Sequence, residues 1–294
     1  MKGIVVVYLF CIPLFVSMRL AAQQHLIAHH LSSVKKENIF LHSSKSQTID
    51  SFINDFSVQA LLQKQVRPFI TDDARVVGKK LAQIEGWLRV DKESVQQWAM
   101  IAYGPNKKLE ISMGGVFGFE HEQGKKTSFS YGLPLLQAKW LIREYENGKG
   151  PGFGLVAGSF LPMGVGSFKP PGFGSFAFAT ATQCIGKQEN FLFHINSGIN
   201  YLHIDGSNDL VNTWGIGTQI KIHKGMHWVG EVFSGDPYVP GAGTSFQTGY
   251  RYFFSDLFQI DMTVGKGFAG NNPLPLWFSA GVRIVSERYL KKKN

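Results

Sequence analysis

The run Leu109-Glu110-Ile111-Ser112-Met113-Gly114-Gly115-Val116-Phe117-Gly118-Phe119-Glu120 decides the fold. Glu110, Ser112, Gly114, Gly118 and Glu120 alternate with Leu109, Ile111, Met113, Phe117 and Phe119. Strand side chains point to opposite faces in turn, so this period of two gives one apolar face and one polar or glycine face. The same alternation recurs downstream. Gln137, Lys139 and Arg143 alternate with Leu136, Ala138, Trp140 and Ile142, and Gln247, Gly249 and Arg251 with Phe246, Thr248 and Tyr250. It returns in Gln259, Asp261 and Thr263, and again in Ser279, Gly281 and Arg283.

A soluble sandwich also alternates, and two features favour a membrane barrel instead. The segments run about 10 to 13 residues; ordinary strands have a mode of about 5–6, and tilted membrane strands need about 9–11. The polar face also carries full charges in mid-segment: Glu85, Arg89, Glu110 and Arg143, then Glu231, Arg251, Asp261 and Arg283. Acids and arginines are balanced in that set, which predicts a lumen lined by paired charge.

Turn residues bound about twelve such segments, from 81–90 to 276–287, with 152–161, 210–222 and 257–266 among them. The expected fold is all-β: a transmembrane up-and-down antiparallel barrel over residues 67–290. Connections alternate between compact ones, such as 104–107 and 255–256, and longer Gly/Pro-rich ones, such as 162–172 and 267–275. Bacterial barrels keep their periplasmic turns short, so this alternation predicts periplasmic N- and C-termini. Trp98, Tyr103, Trp140, Tyr145, Trp228, Tyr252, Trp277 and Tyr289 lie mostly near segment ends, as interfacial girdles require.

Composition agrees. The chain holds 33 Gly and 24 Phe, and only 17% of its residues are charged, against about 25% in soluble domains. Its net charge of +9 is spread over turn-like segments without a concentrated basic face, so nucleic acid is not an expected partner. Lys2, the apolar run Ile4–Met18 and Leu20-Ala21-Ala22 read as a signal peptide over residues 1–22, since the run falls short of the roughly 20 residues a spanning helix needs. Removing it leaves Cys184 as the lone cysteine, with no internal disulfide. Residues 23–66 read as a flexible segment. Within it Ile49, Phe52, Ile53, Phe56, Leu61 and Leu62 predict a short helix near 49–63. Residues 291–294 form a basic tail.

Upstream of the first strand stands Arg67-Pro68-Phe69-Ile70-Thr71-Asp72-Asp73-Ala74, then Val76-Val77-Gly78-Lys79 and Leu81-Ala82-Gln83-Ile84-Glu85. Read from its residues, Thr71-Asp72-Asp73 is a turn or cap preceding the barrel. The string resembles the opening of the phenol-degradation meta-pathway outer-membrane family, with Pro68, Thr71, Asp72, Asp73 and Glu85 matching its motif. That resemblance implies a transporter-like β-barrel in the outer membrane of a Gram-negative cell, passing small compounds, hydrophobic ones among them. Its partners would be outer-membrane lipid, lipopolysaccharide, the barrel-assembly machinery and a small-molecule solute. The chain departs from the common barrel ending, because Tyr289 is followed by Leu290 and lysines.

No enzyme is expected. His203, Ser207 and Asn208 faintly resemble the arrangement of outer-membrane phospholipase A, but Asp205–Asn208 reads better as a hairpin turn. Asp72 and Asp73 fall short of a calcium cage, and His223 with His227 lacks a third ligand, so no metal or cofactor is expected. The leading function is a narrow channel or passive transporter. The alternatives are a lipid-modifying enzyme and a structural or adhesion barrel without transport.

Overall fold

The computed structural model describes residues 71–121, 126–145, 150–186, 190–204, 206–234, 243–270 and 273–286. The expected signal peptide, the helix expected near 49–63, Pro68, Tyr289 and the basic tail lie outside these residues. Among the described residues the strands are β1 (Ala82–Asp91), β2 (Ser94–Tyr103), β3 (Leu109–Glu120), β4 (Ser128–Arg143), β5 (Gly152–Val165) and β6 (Phe173–Ile185). They continue as β7 (Phe191–Ile204), β8 (Ser207–His223), β9 (Met226–Ser234), β10 (Thr244–Ser255), β11 (Phe258–Ala269) and β12 (Trp277–Ser286). Each pairs antiparallel with its neighbours in sequence, and β12 pairs with β1 to close the barrel. A closed barrel leaves no strand edge unpaired. The barrel has a terminal end, where β1 starts and β12 finishes, and a loop end opposite it.

Most strand limits fall close to the expected ones, and the departures have local causes. β5 runs on to Val165, pairing Met163 with Leu133 and Val165 with Tyr131, and its register slips beside Pro134. Proline has no N–H to donate, so the ladder yields there rather than stopping. The turn expected over Asp205–Asn208 is tighter. Ser207 pairs with Ile204, and Gly206 takes a φ of +83° that a left-handed turn position demands.

The outer face carries Ile111, Met113, Trp140, Ile216, Met262 and Phe278, all exposed. An apolar exterior of this kind fits lipid. The girdle expectation fails for Trp98 and Trp277, which lie inside the barrel at 2% and 1% exposure. Each sits on the inward set of its strand, Trp98 in the middle of β2 and Trp277 at the start of β12.

The interior divides into two halves. Toward the loop end it is apolar: Trp87 stacks on Trp98 at 5.7 Å, with Met100, Val116 and Phe168 completing the cluster. Phe168 belongs to a 3-10 turn, Gly166–Phe168, folded in from the β5–β6 connection. Ser130 Oγ accepts from Phe168 N–H at 2.8 Å, and Glu120 accepts from Ser167 N–H at 3.1 Å. Trp277 packs with Phe233 and Leu274 beside it, and the Arg89 guanidinium lies 4.7 Å over its ring. Toward the terminal end the interior is polar.

Candidate functional site

The polar half encloses a cavity of about 420 Å³. Its wall is built from inward positions of strands whose neighbours carry opposite charge: Glu110 is opposite Lys139, Glu85 opposite Arg283, and Arg251 opposite Asp261. Glutamines knit the wall together. Arg283 donates to Gln83 at 2.9 Å and to Gln259 at 3.1 Å, and Arg251 donates to Gln219 at 3.0 Å. Gln83 in turn donates to Glu85 at 2.7 Å.

Thr71-Asp72-Asp73 does not sit outside as a cap before the barrel. The segment Thr71–Val77 runs inside the lumen, and wall side chains take up its backbone groups. Thr71 N–H donates to Glu231 Oε2 at 2.7 Å, Ala74 N–H to Thr182 Oγ1 at 2.7 Å, and Val77 N–H to Glu110 Oε2 at 2.8 Å. Thr180 Oγ1 donates to Asp72 O at 2.7 Å. The Asn196 amide, accepting from Asp72 N–H at 2.6 Å and donating to Asp72 O at 2.9 Å, holds both backbone groups of that residue from β7. A segment buried without strand partners must find such acceptors, because an unpaired buried amide costs on the order of 1–3 kcal/mol.

The two carboxylates are held by cations. Lys139 Nζ lies 2.8 Å from Asp72 Oδ1 and 3.5 Å from Asp73 Oδ1. Arg75 Nη2 lies 2.6 Å from Asp73 Oδ2. Burial pushes the Asp73 carboxyl up, but Arg75, then Lys139 and His194, outweigh it and hold the group well below the usual carboxylate range. Two inward glycines of β8 make room at the segment's start. A Cβ on Gly215 would stand 2.7 Å from Thr71 Oγ1, and one on Gly217 would stand 3.1 Å from Thr71 Cβ.

A protein family described as "Uncharacterised conserved protein UCP029691" matches residues 69–285. The chain belongs to this family. The match begins at the lumen segment and ends at β12, so segment and barrel form one family unit. No curated relative matches. Among solved structures the barrel is similar to an outer membrane channel from Pseudomonas putida F1, with a TM-score of 0.55 and 11% identity over 76% of this chain and 100% of that one. It is also similar to a KdgM porin in complex with disordered oligogalacturonate, with a TM-score of 0.50 and 8% identity over 70% and 99% of the two chains. These likenesses show the fold, that of Gram-negative outer-membrane barrels.

Of the charges read from the sequence, Glu85, Glu110, Glu231, Arg251, Asp261 and Arg283 line the cavity. Arg89 does not. It is buried in the apolar half, 3.2 Å from Asp91. Arg143, last in β4, is exposed at the terminal rim. Sequence reasoning set Lys139 on a polar strand face without giving it a role, and did not single out Arg75, Thr180, Thr182 or Asn196; together these hold the inserted segment. His203 bonds Asn208 at 2.7 Å on the exposed β7–β8 hairpin, while Ser207 pairs with Ile204.

Proposed function

We propose that this barrel is a narrow outer-membrane channel for small polar solutes, closed at rest and with both termini in the periplasm. The observation that carries this reading is the charged cavity of about 420 Å³ inside a closed barrel, lined on one side by the chain's own Thr71–Val77, which is held in the lumen by the wall. A barrel that serves only as a scaffold has no need of a lumen wall built from buried Glu110, Lys139, Thr182 and Glu231. Apolar filling is commonly the more stable choice where charges are buried. The similarity to an outer membrane channel supports the same direction. The resemblance of the Thr71-Asp72-Asp73 string to the phenol-degradation meta-pathway family supports transport too, but the polar cavity favours polar solutes over hydrophobic ones.

Liposome uptake tests the proposal. Reconstituted protein carrying both Lys139→Ala and Phe168→Ala should admit small zwitterions faster than the parent chain, because the inserted segment loses its main anchor and the apolar layer beyond it loses Phe168. Equal exclusion by both, with folded barrels in both, would leave a structural barrel as the better reading.

A further inference from the structure

The wall around Thr71–Val77 has the pattern of a peptide-binding site. Amide N–H groups recur as donors at Thr71, Ala74 and Val77, and each meets one buried acceptor: Glu231, Thr182 and Glu110. The carbonyl of Asp72 meets a donor, Thr180. Beside this backbone reading stands one side-chain reading, Lys139 against the carboxylates of Asp72 and Asp73. Thr182 is fully buried, Thr180 is 1% exposed and Lys139 is 4% exposed, so these groups face the segment rather than bulk water. Carboxylates that accept amide N–H bonds make charge-assisted hydrogen bonds, roughly twice as strong as neutral ones. That gives the acids in the wall a use beyond pairing with arginines.

We propose that these wall groups form a binding site for short extended peptides bearing an acidic pair, and that Thr71–Val77 occupies it as a tethered ligand. Passage of such a peptide rests on the channel reading; its binding does not. A short tether supplies an effective concentration on the order of millimolar, so a free peptide competes poorly until the tethered one is weakened.

The test uses the full chain carrying Asp72→Ala and Asp73→Ala, which weakens the tethered ligand and leaves the wall intact. The probe is a fluorescent peptide with the sequence of residues 71–78, titrated by anisotropy into protein in detergent. A heat-modifiable gel shift confirms closed barrels. Saturable binding at least tenfold tighter to the double variant than to the parent is expected. Adding Lys139→Met should remove that gain, and a probe with both Asp replaced by Asn should bind at least tenfold more weakly. Equal binding by all proteins, or by both probes, overturns the site, as does absence of binding to folded double variant. Bilayer conductance of the double variant with Phe168→Ala added separates the two proposals: conduction without peptide binding retains the channel alone, and binding without conduction retains the site alone.

Discussion

Lys139 Nζ on β4 holds Asp72 Oδ1 at 2.8 Å, tying the barrel wall to a residue that precedes β1. The lysine is buried, so the pair cannot be treated as a surface ion pair worth a few tenths of a kcal/mol. It makes the inserted segment part of the lumen's electrostatics.

Lys139→Ala should therefore loosen the segment. Removing one partner of a buried pair costs on the order of 3 kcal/mol, which is roughly a hundredfold in an opening equilibrium. Ala74 is fully buried, and its N–H is held by Thr182. A thiol placed there by Ala74→Cys should resist a bulky maleimide in the parent and react on the order of a hundred times faster with Lys139→Ala. Unchanged labelling would mean the pair does not anchor the segment.

The small size of Gly217 should matter for the same reason. Its absent Cβ leaves room for Thr71, so Gly217→Val drives side-chain atoms into the Thr71 position. Overpacking of this kind costs about 1–3 kcal/mol. Here the segment can yield while the β8 ladder stays intact, so labelling at Ala74→Cys should rise with no loss of the heat-modifiable gel shift. A variant whose barrel unfolds instead would place the strain in the wall.

Acid should weaken the segment only late. Asp73 has a depressed folded pKa, so its contribution is fully present above the unfolded value of about 3.9 and is lost as pH falls through that value toward the folded one. The stability difference between parent and Asp73→Asn should stay constant from pH 7 to about pH 5 and shrink below about pH 4. A difference that already shrinks near pH 6 would show that Asp73 is not held by its cations.

The barrel was legible in the sequence because its signal is local. Glu110 through Glu120 shows its period of two without reference to any other strand, and the strand limits around it follow from turn residues. Glu85 and Arg283 were both readable as inward, yet their register as direct neighbours depends on closure of β1 against β12. The inserted segment was not legible. Thr71 meets Glu231 across 160 positions of sequence, and Ala74 meets Thr182 across 108. Its own residues, short and polar, read equally well as a turn. Arg89 was legible as inward, but its place beside the Trp277 ring, away from the polar cavity, depends on the fold.

Bilayer conductance of the two closures, opened singly and together, tests the central claim most directly. On the channel reading, the inserted segment obstructs the terminal half and the layer of Trp87, Trp98 and Phe168 obstructs the loop half, so that the two act in series. Asp72→Ala with Asp73→Ala, or Phe168→Ala, should each raise conductance little. All three together should raise it at least tenfold over either. A combined variant that forms closed barrels yet conducts no more than the parent would contradict the account.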